Sequence, residues 1–194
     1  MIEKSIEGLL KKDKTLLHNI VETDEPKANQ LEIYIEEMGT TMIAQYQPKA
    51  RDLRTILMIM KMNNDLERVA DHAVNTAESS IFLIEQPPVK PLIDIPRMAD
   101  ISIKMLEDSI EAFIDEDTAL ANNVCGRDGV VDELGNQILR DLITFMSTDP
   151  KTIERVLHLL KISRNLERIA DLSTNICEDV IFMVEGKIIK HHYM

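Results

Sequence analysis

The feature that most constrains this chain is an internal repeat at an offset of 100 residues. Residues 53–85 align with residues 153–185 without a gap, and many of the differences exchange one aliphatic residue for another, as at Val69 and Ile169. A weaker parallel at an offset of 104 links DKTLLHNIVETDE to DTALANNVCGRDG. We therefore expect two units of the same plan. Twelve positions are identical in the stronger alignment, each matched one hundred residues later: Leu57, Lys61, Leu66, Glu67, Arg68, Ala70, Asp71, Asn75, Glu78, Ile81, Phe82 and Glu85.

Composition and periodicity predict an all-α fold. Six glycines and seven prolines leave few helix breakers in 194 residues, and apolar residues near the C-terminus recur at i, i+3, i+4 and i+7. The two units are then antiparallel three-helix bundles in tandem. The predicted helices lie near residues 2–11, 14–46, 49–86, 97–115, 118–147 and 151–186.

The domain boundary falls in QPPVKPLIDIP, which holds four prolines and no helical pattern. We predict a first unit over residues 1–86, a linker over 87–96 and a second unit over 97–194. Pro26 is expected to kink or interrupt the second helix. The first helix, of about ten residues, is shorter than its counterpart of about nineteen, and so leaves apolar surface uncovered. Either that end is frayed or a partner chain covers it, and we expect a homodimer.

The charge of the chain restricts its partners. Its formal net charge is −12, which disfavours nucleic acid and suits cations or a basic protein. Cys125 and Cys177 form no CxxC pair and are expected to be small buried residues in a reduced compartment. No signal-peptide pattern opens the sequence, and no apolar run is long enough to span a membrane, so we expect a cytoplasmic protein.

The repeated motif places acids on one shoulder of the last helix. At 100° per residue, Glu167 and Asp171 lie beside the apolar face, and Glu67 and Asp71 repeat this arrangement in the first half. Acids four residues apart repel each other by a few tenths of a kcal/mol, so the pattern needs a positive charge. One reading supplies it from neighbouring arginines, with Arg168 pairing with Asp171 and Arg68 with Asp71, in a solvated face that adds little stability.

The other reading is a metal site, because hard cations bind carboxylate oxygens and acids on facing helices can share ions. A partner pair is needed on a neighbouring helix. In the second half RDGVVDEL supplies Asp128 and Asp132, and in the first half DEPKANQL supplies Glu25 but has Asn29 one turn later. The predicted metal ligands are Asp128, Asp132, Glu167 and Asp171 in one site, and Glu25, Glu67 and Asp71 in the other.

The two motifs, NDLERVADHAVNTAE and RNLERIADLSTNICE, resemble the paired signature of the PhoU family of phosphate-uptake regulators. PPVKPLIDIPRMA and DPKTIERVLHLLKISRNLERIAD are also similar to PhoU sequences, so the resemblance covers almost the whole chain. It implies two three-helix bundles related by pseudo-twofold symmetry. It also implies transition-metal ions on E(D)xxxD pairs, with iron, zinc, manganese and nickel as candidates, and no organic cofactor.

Several positions depart from the family pattern. Ala70 and Ala170 replace the usual glycine, Leu172 replaces a histidine that His72 keeps, and Asn29 replaces an aspartate. The family's first helix is also longer. We therefore expect the second metal site to be the better formed. We interpret His72 as a hydrogen-bonded polar residue rather than a ligand.

The resemblance implies a regulatory adaptor, not an enzyme, that links an ABC phosphate transporter to the sensor histidine kinase of a two-component system and damps phosphate-starvation signalling. It would reach the membrane only peripherally, through these partners. An accessory protein of another phosphate carrier is an alternative that the sequence does not separate from the first. A di-metal carboxylate enzyme is the third hypothesis. The sequence disfavours it because no Glu-x-x-His pair, nucleophile–base pair or phosphate loop is present.

Overall fold

The structure is a computed structural model that describes residues 1–186. Within these residues every regular element is helical, as the sequence predicts. The last eight residues of the predicted second unit, 187–194, lie outside the described residues. The α-helices are α1 (Ile2–Lys11), α2 (Lys14–Asn19), α3 (Glu25–Tyr46), α4 (Arg51–Ile84), α5 (Asp94–Asp115), α6 (Thr118–Cys125), α7 (Asp128–Thr148) and α8 (Ile153–Glu185).

The weaker repeat at an offset of 104 appears in the helix caps. Lys12 ends α1 with a φ of 55°, and Glu116 ends α5 with a φ of 54°. The next residue of each half caps the following helix. The Asp13 side chain accepts a hydrogen bond from the Leu16 backbone N–H, and the Asp117 side chain accepts from the next helix in the same way. These caps satisfy N–H groups that a helix start leaves without partners. The two halves therefore turn from first to second helix by the same local chemistry.

Both second helices are interrupted at equivalent places. In the first half a π-helical turn, Ile20–Asp24, joins α2 to α3, directly ahead of Pro26. This agrees with the interruption expected at Pro26, since proline offers no N–H to the preceding turn. In the second half the predicted continuous helix over 118–147 is wrong, because the chain makes a tight turn between α6 and α7. There the Arg127 backbone N–H donates to the Val124 carbonyl at 3.0 Å.

The fourth helix begins earlier than predicted. α5 starts at Asp94, inside the Pro-rich stretch, and Pro96 falls in its first turn, where a missing N–H breaks no helical hydrogen bond. Lys90, in the preceding loop, lies 2.9 Å from Asp94 and 3.1 Å from Asp141 of α7. These ion pairs hold the start of α5 against the second unit.

The two longest helices, α4 and α8, carry the repeated motif and pack against each other. The two helices are antiparallel, because residues nearer the C-terminus of α4 contact residues nearer the N-terminus of α8. Such pairing of equivalent helices gives the pseudo-twofold relation between the two halves. The contacts that define the register are the ion pair of Lys61 with Asp179, the 3.1 Å contact of His72 Nδ1 with Asn165 Oδ1, and the stacked rings of Phe82 and His158, whose centroids lie 4.1 Å apart.

One hydrophobic core serves both halves. Its buried side chains come from α1 and from α4 to α8, and Met98, Leu142 and Leu166 in it are fully buried. A smaller cluster around Leu17 and Ile20 lies beneath α2. α1 has 10 residues against 22 for α5, so the predicted shortening of the first helix is confirmed. No helix within residues 1–186 has the length and apolar character that a membrane span requires.

Candidate metal-binding carboxylate sites

The second acidic site is built on α8. Leu166 and Ala170 are buried in the core, which fixes the rotation of the helix and leaves Glu167 and Asp171 half-buried on its shoulder. Arg168 Nη1 lies 2.9 Å from Asp171 Oδ2, so part of the salt-bridged face expected from the sequence is present. This pair is largely exposed, and pairs of this kind contribute little stability.

Glu167 is the electrostatically perturbed member of the site. Burial raises the pKa of its carboxyl, and the nearby charges of Asp132 and Asp171 raise it further, while Arg168 and Arg164 act in the opposite direction. A raised pKa means that the folded protein disfavours the carboxylate form. Two of the other predicted ligands, Asp132 and Asp171, therefore lie within electrostatic reach of Glu167.

Glu167 approaches α7 closely at Gly135. A Cβ atom at Gly135 would lie 3.4 Å from Glu167 Oε2 and 3.5 Å from Met98 Cε. These are ordinary van der Waals distances, so the space at Gly135 would also accept an alanine side chain. The sequence places a glycine in the middle of a helix, where it costs about 1 kcal/mol relative to alanine.

Asp128, the fourth predicted ligand, lies toward the other end of the acidic stripe. It is the first residue of α7. The pKa of the Cys125 thiol is lowered overall, although the negative charges of Glu178 and Asp128 act to raise it. The main cause of that lowered pKa is a hydrogen bond from the Cys177 thiol. Cys177 is buried in the core as predicted, whereas Cys125 is partly exposed. Asp128 therefore lies within electrostatic reach of Cys125, which none of the other three acids is shown to do.

The carboxylates do not form a closed ligand cage in the conformation that the structure describes. Within residues 1–186, no three side chains of His, Cys, Asp or Glu lie close enough together to hold a metal ion. The donor set nevertheless suits a hard cation, because burial and the charges of Asp132 and Asp171 disfavour the carboxylate form of Glu167, and a bound cation would offset this cost. Both metal sites stay predictions.

The first acidic site has a member that the sequence did not identify. Burial raises the pKa of Glu67, and the charges of Asp71 and Glu32 raise it further, while Arg68 lowers it. Arg68 Nη1 lies 3.6 Å from Asp65 Oδ1, an i–3 pairing instead of the expected pairing with Asp71. Glu32 of α3 is thus the acid that faces Glu67 across the helix pair.

Glu32 is held in place by a neighbouring contact between α3 and α4. The Asn63 side chain donates a hydrogen bond to the Glu32 backbone carbonyl at 2.9 Å. Glu25, the predicted ligand, is the half-buried first residue of α3, and Asn29 is exposed one turn later. Glu25, Asn29 and Glu32 follow i, i+4, i+7 spacing on one face, and this spacing was the available signal for Glu32.

His72 is hydrogen-bonded, in agreement with its interpretation as a satisfied polar residue. Its Nδ1 lies 3.1 Å from Oδ1 of Asn165, which is buried in α8. The equivalent pair in the other half is Leu172 and Asp65, so the pseudo-twofold symmetry is broken at this contact. The histidine side chain is thereby directed into the interface of the two long helices.

Comparison with known proteins gives a consistent result over the whole chain. The family model described as the PhoU domain matches twice, over residues 1–80 and 95–180. A phosphate-specific transport system accessory protein PhoU homolog from Aquifex aeolicus is 42% identical, with 100% of this chain and 87% of that protein aligned. The PhoU homolog 2 of Thermotoga maritima is 32% identical, with 100% of this chain and 82% of that protein aligned.

Solved structures agree with the sequence relatives. The crystal structure of PhoU from Pseudomonas aeruginosa superposes with a TM-score of 0.92 at 34% identity, covering 96% of this chain and 89% of that chain. The phosphate transport system regulatory protein PhoU from Streptococcus pneumoniae superposes with a TM-score of 0.88 at 26% identity, covering 97% of this chain and 88% of that chain. The duplicated motif, the pair of three-helix units and these matches lead to one conclusion: the chain belongs to the PhoU family.

Proposed function

We propose that this protein regulates phosphate uptake and phosphate-starvation signalling as a metal-binding adaptor between an ABC phosphate transporter and a sensor histidine kinase. The observation that carries the metal-binding part is the raised pKa of the half-buried Glu167 carboxyl, caused by burial and by the neighbouring charges of Asp132 and Asp171. The family supports the regulatory part, since several relatives are named accessory proteins of the phosphate-specific transport system. The proposal makes the chain a binding protein that acts in the cytoplasm.

In the second site, carboxylate oxygens of Asp132, Glu167 and Asp171 would hold the ion, with Asp128 at the edge of the site. A bound cation would remove the electrostatic cost that raises the pKa of Glu167, and it would offer positive charge to an anion such as phosphate. The residues of this chain thus provide a hard, oxygen-rich ligand set on a rigid pair of helices.

In the first site, Glu67 and Asp71 would act with Glu25, and we add Glu32 because its charge reaches Glu67. The backbone of Glu32 is already fixed by Asn63. The two sites lie on α4 and α8, which pack antiparallel in one body. Metal ions at both sites would therefore arrange two acidic surfaces in a fixed relation. Such surfaces suit the basic faces of membrane-associated partners, with charge setting orientation and association rate.

The metal site is tested by metal analysis of the purified chain. The variant Asp128→Asn, Glu167→Gln, Asp171→Asn should lose the metal that wild type retains after equilibration with Mn²⁺ or Fe²⁺. The variant Glu67→Gln, Asp71→Asn should lose only the share held by the first site. Circular dichroism confirms that both variants are folded. Metal content equal to that of wild type in the first variant would contradict the proposed second site.

The adaptor role is tested by affinity capture from phosphate-replete cells. Wild type should retain subunits of an ABC phosphate importer and a sensor kinase, and the triple variant of the second site should retain less of them. Recovery of a single-chain phosphate carrier instead would assign the protein to another transport system. Recovery of neither class, by a tagged protein that is folded and metal-loaded, would contradict the adaptor role.

A further inference from the structure

The two cysteines of the chain lie in contact, although they come from different helices. Cys125 is the last residue of α6, and Cys177 lies in the second half of α8. The Cys177 thiol donates a hydrogen bond to the Cys125 sulfur. Two sulfur atoms within hydrogen-bonding distance can reach the bond length of a disulfide, about 2.05 Å, by side-chain rotation when the helix backbones lie close together. The sequence has no third cysteine with which either could pair.

The packing of α6 on α8 brings the backbones of the two cysteines close together. Ala121 precedes Cys125 by one helical turn, so its small side chain lies on the same face of α6. Ala121, Cys177 and Val180 belong to one buried core, and Cys125 packs against it. A small residue at this face allows two helices to approach closely, and a disulfide needs Cα atoms about 4.4–6.8 Å apart. The packing of these two helices therefore suits a disulfide.

An ion pair holds the chain directly after Cys125. Arg127 Nη2 lies 2.5 Å from Asp108 Oδ2, and Asp108 is buried in α5. The charges of both residues also reach the Cys177 thiol. Cys125 is thus fixed on one side by α6 and on the other by an anchored turn, so its sulfur is held beside Cys177.

The two thiols differ in exposure and in acidity. Cys125 is partly exposed, whereas Cys177 is buried. The hydrogen bond from Cys177 lowers the pKa of the Cys125 thiol, against the opposing effects of burial and of the charges of Glu178 and Asp128. The same hydrogen bond, together with burial, raises the pKa of Cys177. Because the thiolate is the form that reacts with oxidants, Cys125 is the thiol that a small oxidant from solvent meets first.

We propose that Cys125 and Cys177 are a redox-sensitive pair that forms an intramolecular disulfide when the protein meets hydrogen peroxide. The Cys125 thiolate attacks one oxygen of the peroxide, and the O–O bond breaks. Hydroxide leaves and takes up the proton that the thiol released, and Cys125 becomes a sulfenic acid. The Cys177 sulfur then attacks the Cys125 sulfur, and the sulfenic hydroxyl leaves with the Cys177 thiol proton as water. Two thiols are oxidised to one disulfide, and one peroxide is reduced to two waters.

The disulfide is reversible and lies beside the second acidic site. A dithiol reductant breaks it by thiol–disulfide exchange and is itself oxidised to a disulfide. In a reducing compartment such a bond is transient, which suits a sensor and not a structural link. The bond ties the end of α6 to α8 at the break that precedes α7. Because Asp128 is the first residue of α7, oxidation fixes this edge of the site against α8.

Treatment of the folded full chain with hydrogen peroxide, in the presence of a chelator, tests the proposal. Intact-mass measurement should show the loss of two hydrogen atoms without a covalent dimer. Thiol titration in denaturant should show that both thiols are lost, and dithiothreitol should restore them. The disulfide closes a long loop, so the oxidised chain should have a Tm higher by about 5–10 °C.

Two variants separate the roles of the thiols. Cys177→Ser cannot close the bond, so Cys125 should accumulate as a sulfenic acid that dimedone traps. Cys125→Ser leaves only the buried thiol, and Cys177 should stay reduced at the same peroxide concentration. Oxidation of Cys177 in this variant as fast as in wild type would contradict the assignment of Cys125 as the first thiol to react. Circular dichroism verifies that both variants are folded, and the wild-type measurement does not depend on them.

Four results with wild type would overturn the proposal. Retention of both thiols, at a peroxide concentration that oxidises the urea-unfolded chain, means that the fold protects the pair. Accumulation of sulfenic or sulfinic acid at Cys125, with Cys177 still reduced, means that the two sulfurs cannot meet. A covalent dimer through Cys125 means that the disulfide is intermolecular. An intramolecular disulfide that lowers Tm means that the native fold does not hold the two sulfurs within bonding range.

Discussion

Glu167→Gln should stabilise the metal-free protein at neutral pH. The substitution keeps the shape of the side chain and removes the charge that burial, Asp132 and Asp171 disfavour. A like-charge neighbour one helical turn away, as Asp171 is, costs about 0.2–0.5 kcal/mol; burial and Asp132 add to this cost, and the arginines offset part of it. We therefore expect a gain of about 0.5 kcal/mol, which for a chain of this size raises Tm by about 1–2 °C.

The pH dependence fixes the sign of the effect. The pKa of Glu167 in the folded protein lies above the ordinary value of 4.5, so the folded state binds this proton more tightly than the unfolded chain does. The cost of the carboxylate is fully present above the folded pKa and disappears as the pH falls below 4.5. The difference between variant and wild type should therefore be present at neutral pH and absent in acid.

The assay is urea unfolding with and without chelator at both pH values. Added Mn²⁺ at a hundredfold excess over its dissociation constant should stabilise wild type by about 2.7 kcal/mol, and Glu167→Gln by clearly less. Glu133→Gln is the matched control, because Glu133 is exposed and lines a depression with Arg97 and Arg140, outside the acidic stripe. Glu133→Gln should have the same stability as wild type in chelator, and Mn²⁺ should stabilise it as much as it stabilises wild type.

Two results would refute this reasoning. If Glu167→Gln unfolds more easily than wild type in chelator at neutral pH, the carboxylate is net stabilising and the salt-bridge interpretation is correct. If Mn²⁺ stabilises wild type and variant equally, Glu167 is not a ligand. If Glu167 is a metal ligand, Glu167→Gln must be more stable than wild type in chelator and must gain less stability from Mn²⁺.

Three further substitutions test the geometry of the fold and the site. Gly135→Ala should stabilise α7 by up to about 1 kcal/mol in urea unfolding, because a Cβ at this position makes only ordinary van der Waals contacts with Glu167 and Met98. The control is Gly129→Ala, which adds a Cβ into open space; a Gly135→Ala variant that is less stable than wild type would show that the approach of Glu167 to α7 is too close for a side chain. His72→Leu should cost about 1–3 kcal/mol in urea unfolding because the buried Asn165 amide loses its partner, and a neutral effect would mean that water replaces the ring. Asp117→Ala should cost about 1 kcal/mol by removing the cap of α6, which thermal unfolding measures, and an unchanged Tm would show that the cap is dispensable.

The repeat and the helical pattern could be predicted from sequence because both are local. Apolar periodicity and cap residues such as Asp13 and Asp117 lie within a few residues of the elements they define. The break between α6 and α7 could not be predicted in this way. Arg127, at the break, lies 2.5 Å from Asp108 of α5, so a tertiary ion pair holds the turn. Gly126 and Gly129, on either side of the break, were its local signals.

The candidate sites were predicted in part for a similar reason. Helical spacing shows which residues share a face, so it placed Glu167 and Asp171 together and Glu67 and Asp71 together. It does not show which turn of the neighbouring helix stands opposite. The register between α3 and α4 depends on contacts such as that of Asn63 with the Glu32 backbone, and for this reason Glu32 was missed.

The π-helical turn at Ile20–Asp24 has a consequence for how the acidic surface can change in evolution. Such a turn accommodates one extra residue without breaking the helix, and one residue corresponds to about 100° of rotation. Deletion of a single codon there would turn all of α3 relative to α4 and bring a different set of acids opposite Glu67. A deletion in this turn can thus change the charge pattern of the surface without substituting any residue on that surface.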